Sequence, residues 1–340
     1  MKLAEKYQRG TQMTIPATPL AATARVLVRN LESDTRRLQL SEFYIEEIAG
    51  LRKWEAAKEF FPEAVRDEWI LVREYSTIPP YAEGWSGLGA IPNEIEDLLL
   101  LLRLFRPGDL IFAALHVTTP TGGSRQYPYR AMSPLVLNYS TRQYVLKQAE
   151  CADWEKFANP LQASAQWNSA WFSVSRRFLL YGGGKEFNAN FEGDVDRVID
   201  YITALEAALV PESDFVSRRL RERALRLLSL RGTADRSARK LISQMYGIRS
   251  TLVHGGSLGQ DHMALLRDKS KWWRFEELAR VVLVETLRRV PADDPDRRSY
   301  LASLYDLSDT ERAEQVRQSY KAIKDAGIRR ALIQDLDADA

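Results

Sequence analysis

Four residues near the end of one predicted helix have the types and spacing for phosphate chemistry. In the stretch QMYGIRSTLVHGG, residues 244–256, Tyr246, Arg249, Ser250 and His254 precede Gly255 and Gly256. A guanidinium stays charged and offers a planar fork to phosphate oxygens. An imidazole titrating near neutrality can take up and return a proton. Together these groups suit cleavage of RNA by its own 2′-hydroxyl. That reaction needs a base near the hydroxyl, an acid for the departing 5′-oxygen and positive charge for the pentavalent phosphorane. It requires no metal, and no cofactor is implied. The other histidines, His116 and His262, fall in a predicted strand and a predicted loop. The single cysteine, Cys151, excludes an intrachain disulfide and a multi-cysteine zinc site.

A helix over 235–254 would position the four residues. Leu241, Met245, Ile248 and Leu252 then form one apolar stripe toward a core. Tyr246, Ser250 and His254 recur every fourth residue on a neighbouring face, with Arg249 beside them. The two glycines can end the helix in the left-handed conformation and leave the approach to His254 open. The same tail has a plain structural use, because cationic side chains in a last turn suit the helix dipole.

Helical periodicity also runs through 161–181, 194–210, 214–230 and 272–290, joined by short links, which predicts an antiparallel bundle. A further charged, amphipathic piece spans 309–336. Before Cys151 the texture is mixed. A capped helix is expected over 42–61, strands over 68–77 and 109–119, and a helix from the N-cap Asn93 to Pro107. The segment 119–128 reads as a turn, and strand-like pieces follow at 131–138 and 142–148. The expected fold class is α+β. A mixed α/β domain over 1–150 precedes an all-α antiparallel bundle over 151–340.

Between Pro211 and Gly256 ten basic residues stand against four acidic ones, in a chain whose net charge is +2. Arg219, Arg223 and Arg226 fall on one side of the helix over 214–230, and Arg239 lies on the next helix. These four are the candidate RNA-binding residues, and a phosphate-tracking groove would have this pattern. A solvated helix face is the competing account. Trp167, Trp171 and Phe172 read as core, and one of Trp272 and Trp273 is a candidate dimer anchor. YGGGKEF, residues 181–187, lacks a phosphate-loop pattern and reads as a turn. With no leader-like or bilayer-spanning apolar run, the expectation is a cytosolic protein without membrane contact.

MYGIRSTLVHGG, together with DYITALEAALVPESD at 200–214, resembles the Apea-like branch of the HEPN superfamily. That family's pattern has a helix ending "aLE.ll.p" and a later helix ending "lY.iRs.lvHG". Ala204, Leu205, Glu206 and Pro211 match the first part; Tyr246, Arg249, Ser250, Val253, His254 and Gly255 match the second. The resemblance covers about 161–290 and implies a helical bundle that dimerises, bringing two Arg-x4-His motifs into one cleft. It implies a metal-independent endoribonuclease of phage defence or toxin-type growth arrest. Arg249 would bind the scissile phosphate and His254 would transfer protons. The N-terminal part would then select RNA or meet a trigger or inhibitory partner. Active members often carry Asn, Asp or His after the arginine, where this chain has Ser250. The alternative is a non-catalytic module for dimerisation and for RNA or nucleotide binding.

Overall fold

In the computed structural model, residues 21–76, 90–120, 124–128, 142–184, 192–229 and 232–306 are described. Alternation builds the sheet. In β1 (Ala22–Arg29), Ala22, Ala24, Val26 and Val28 face the main core, while Leu27 faces a smaller cluster on the other side. β1 lies antiparallel between β5 (Trp69–Tyr75) and β6 (Ile111–Thr118). The full order is β3 (Arg37–Leu40), β4 (Phe43–Glu47), β5, β1, β6, β7 (Ser124–Pro128), with every neighbouring pair antiparallel. A separate parallel pair joins β2 (Leu31–Glu32) to β8 (Tyr144–Val145).

The strands expected at 68–77 and 109–119 are β5 and β6. The helix expected over 42–61 is not formed as such. Phe43 and Ile45 alternate inward in β4, and only Leu51–Lys58 is helical (α1), after Gly50 at φ 85°. Pairing with β5 satisfies the β4 backbone while Phe43 and Ile45 reach the core from one face. Ser124–Pro128, expected as turn, is strand β7 on the sheet edge. The strand-like piece at 131–138 lies outside the described residues, and the one at 142–148 shrinks to β8.

α2 (Ala90–Phe105) begins three residues before Asn93. It buries Ile91, Ile95, Leu98 through Leu102, Leu104 and Phe105, because the sheet lies on one side and helices on the other. The helix expected over 161–181 divides into α3 (Cys151–Gln162) and α4 (Ala170–Gly184), where Ser164 and Ser169 turn extended around a short 3-10 turn. α5 (Glu192–Leu209), α6 (Val216–Leu228), α7 (Gly232–Val253) and α9 (Lys269–Arg289) follow the predicted periodicity. Two short helices were not anticipated, α8 (Gln260–Arg267) and α10 (Asp294–Asp306). The piece at 309–336 lies outside the described residues. The result is an α+β arrangement, sheet first and helices after. No described helix is long and apolar enough to cross a membrane.

One hydrophobic cluster runs from the inner sheet face through α2 into the bundle, so the expected border at 150 crosses a continuous core. Buried charges cross it too. Arg197 of α5 donates to Asp109, just before β6, at 2.6 Å and to Glu276 of α9 at 3.0 Å. Tyr201 donates to the same Glu276 oxygen at 2.5 Å. Arg197 and Glu276 are almost fully buried, a situation charges tolerate only when paired. The turn carrying Asp109 needs Gly108, at φ +133°, where a Cβ would lie 2.7 Å from Tyr144 Cα.

Candidate functional site

α7 carries the motif, and its ending decides what the motif exposes. Gly256 N–H donates to the Thr251 carbonyl at 2.8 Å and Gly255 N–H to the Leu252 carbonyl at 3.0 Å. With Gly255 at φ +73° this is a Schellman ending, and His254 is the C-cap residue. Met245 and Ile248 are fully buried and Leu241 is 7% exposed, so the apolar stripe anchors the helix against its neighbours. The His254 side chain stands in solvent, next to Val253, which is 53% exposed.

Arg249 does not share that exposure. Its Nη2 donates to Glu206 Oε2 of α5 at 2.9 Å, and both side chains are mostly buried. The Arg249 guanidinium carbon lies 5.9 Å from the Tyr246 ring centre. Burial raises the Glu206 pKa above the ordinary carboxylate value, against the opposing pull of Arg249 and of the Tyr246 hydroxyl. Burial, then Glu206, raises the Tyr246 phenol in turn. At about 100° per residue, Arg249 sits about 140° around the helix from His254, with Tyr246 and the half-buried Ser250 between them. In one copy the guanidinium therefore faces α5 and the imidazole faces outward. Glu206, seen in the sequence only as a match to the family pattern, is the added member of the site.

The candidate RNA-binding residues separate. Arg223 is 2% exposed. It makes a two-pronged ion pair with Glu212 at 2.7 and 2.8 Å and donates to the Leu209 and Leu301 carbonyls. These bonds hold Glu212 down at about 2. Arg223 is a structural cation and is not placed to touch RNA. Arg219 pairs with Glu212 and with Asp214, at 3.4 and 3.2 Å. Arg226 is half-buried, 5.6 Å from the Tyr305 ring centre. Arg239 pairs with Glu222 and Asp235. Burial opposes the ionisation of Glu222, but Arg239 and Arg221 outweigh it and keep its pKa low.

Two exposed cations lie elsewhere on α7. Arg236 and Lys240 point to solvent. With Gly247 and His254 they fall within about 40° of one line along the helix. The imidazole of His262, on α8, lies against that line: a Cβ at Gly247 would meet its Nε2 at 3.2 Å. The spacing 236, 240, 247, 254 was present in the sequence, but counting charges without placing them on the helix hid it.

Trp167, Trp171 and Phe172 are core, as expected. Trp272 is also core, at 1% exposure, so it is not a dimer anchor, whereas Trp273 is half-buried. Among the described residues, no group of three or more His, Cys, Asp or Glu side chains is placed to hold a metal ion. Comparisons with models of known families, with curated proteins and with solved structures return no match for this chain.

Proposed function

We propose that the chain is a metal-independent endoribonuclease of the HEPN type, acting as a dimer in which two copies of the α7 ending face one cleft. The observation that carries this reading is the solvent-exposed His254 at a glycine-opened helix end, one and a half turns beyond an arginine already oriented by a carboxylate. One imidazole would remove the proton of the RNA 2′-hydroxyl as its oxygen bonds to phosphorus. The bond from phosphorus to the 5′-oxygen then breaks, and the second imidazole returns a proton to that oxygen. Arg249, swung from Glu206 or reaching from the other copy, would neutralise the phosphorane. The products carry 2′,3′-cyclic phosphate and 5′-hydroxyl ends. A setting in phage defence or toxin-type growth arrest follows from the resemblance alone.

A second reading draws support from a specific contact. Glu206 neutralises the guanidinium that should meet phosphate, which suits a non-catalytic module that dimerises and binds RNA through Arg236 and Lys240. One experiment separates the two. Wild type and His254→Ala are incubated with labelled single-stranded and structured RNAs in excess EDTA. Cleavage by wild type alone, leaving cyclic phosphate ends, supports the ribonuclease. Salt-sensitive binding without cleavage by either supports the module.

A further inference from the structure

The sheet face opposite the main core holds a cavity of about 200 Å³, between α1 and strands β1, β4 and β5. Ile48, Ala57, Phe60, Ile70 and Val72 give it apolar walls. Arg25 projects from β1 into this setting, on the same side as its cross-strand partners Val72 and His116. Its guanidinium carbon lies 4.5 Å from the Phe60 ring centre, and Nη1 donates to Thr118 Oγ1 at 3.0 Å. Among the described residues no carboxylate forms an ion pair with it. The neighbouring charges are matched: Lys53 pairs with Glu46, and Arg36 pairs with Glu47 at 3.7 Å. Burial, and then Arg25 itself, lowers the His116 pKa below the ordinary imidazole value. The cavity is thus an apolar slot with one cation lacking a carboxylate.

We infer that this slot binds a small monocarboxylate with a compact apolar body, its carboxylate on the Arg25 guanidinium. Three features fix that class. An apolar cavity of about 150 Å³ holds benzene, so about 200 Å³ takes a single ring with a carboxyl group attached. A guanidinium fork matches a carboxylate, and stacking on Phe60 pre-orients it at little entropic cost. With Lys53 and Arg36 already paired to Glu46 and Glu47, Arg25 can match one negative charge only, which disfavours phosphate esters and dicarboxylates. Walls of this kind with one placed polar group are typical of small-molecule sites. The site is remote in sequence from the α7 motif and stands whether or not the chain cleaves RNA.

Calorimetric titration with benzoate, benzamide and phthalate tests the assignment on the full chain, with Arg25→Gln and Ala56→Trp as variants. Ala56 is an exposed α1 residue lining the slot, so tryptophan there blocks the opening without entering a core. Benzoate should bind saturably, and benzamide and phthalate at least about tenfold more weakly. Arg25→Gln should reduce benzoate affinity by a similar factor, and Ala56→Trp should abolish binding. Absence of saturable benzoate binding to wild type, or equal affinity for benzoate and benzamide, would overturn the inference. So would undiminished benzoate affinity in either variant. The comparison of ligands on wild type needs no variant to fold.

Discussion

Arg249 of α7 and Glu206 of α5 meet at 2.9 Å across 43 residues of chain, and this contact sets the charge at the candidate site. The carboxylate both orients the guanidinium and competes with any phosphate for it. Competition dominates for binding, since the pair must part before Arg249 can engage a second anion.

Replacing the carboxylate should therefore strengthen RNA binding. Glu206→Gln is expected to tighten it by about fivefold at neutral pH, near 1 kcal/mol for one partly buried charge. The pH dependence has a definite sign. The folded pKa of Glu206 is raised above its ordinary 4.5, so the group takes up a proton before an unfolded chain would. The folded state gains stability as pH falls from that raised value toward 4.5, and the competing charge disappears over the same window. Fluorescence anisotropy with labelled RNA should show the gap between wild type and variant closing as pH falls; a gap constant with pH would refute the competition.

Arg236 and Lys240 should carry phosphate contacts. Their alanine variants are expected to weaken binding to every RNA alike. Each should reduce the slope of log affinity against log salt by about 0.7 for single strands. Thermal unfolding should remain close to wild type, because both side chains are exposed. Unchanged salt slopes would remove the α7 outer face from the RNA path.

Arg223→Ala should behave in the opposite way. Removing a buried guanidinium leaves two carbonyls without their donor and Glu212 with only the longer Arg219 pair. The expected loss is about 3 kcal/mol in a denaturant titration, below the largest buried-pair values because Glu212 keeps some exposure. Glu212 adds an acid-side signature. Its pKa is lowered to about 2 from 4.5, so it stabilises the fold above pH 4.5 and that contribution disappears as pH falls toward 2. The Arg223→Ala stability profile should be flatter across that window.

Gly108→Ala should destabilise by more than about 2 kcal/mol, combining a strained positive φ with a backbone clash. The added Cβ would lie 2.7 Å from Tyr144 Cα and 2.8 Å from the Gln143 carbonyl oxygen, neither of which can swing aside. A melting temperature equal to wild type would show that the turn can open.

Local signals were legible in the sequence and long-range ones were not. The end of α7 could be read because two glycines announce a Schellman turn within a few residues. The strand patterns of β5 and β6 were visible in their own alternation. β4 was misread as helix because FYIEE is short enough to fit either period, and only its partner β5 chooses between them. The basic cluster read as a phosphate-binding face because a count of charges does not say which cation each acid meets. Glu212 takes both Arg219 and Arg223, and Glu222 of α6 takes Arg239 of α7. Glu206 shows the same limit, since no local pattern predicts that it would reach Arg249.

The buried link from Asp109 through Arg197 to Glu276 has a practical corollary for dissecting the protein. A truncation beginning at Cys151 would strip Arg197 of one counter-charge and uncover the α3, α4 and α9 surfaces that α2 seals. Such a fragment would be a bundle missing a wall, with a buried guanidinium that keeps Glu276 but has lost Asp109. Silence from it in an RNA assay would report collapse of the scaffold rather than the chemistry of His254. Point changes on the outer face of α7, made in the full chain, leave that scaffold standing.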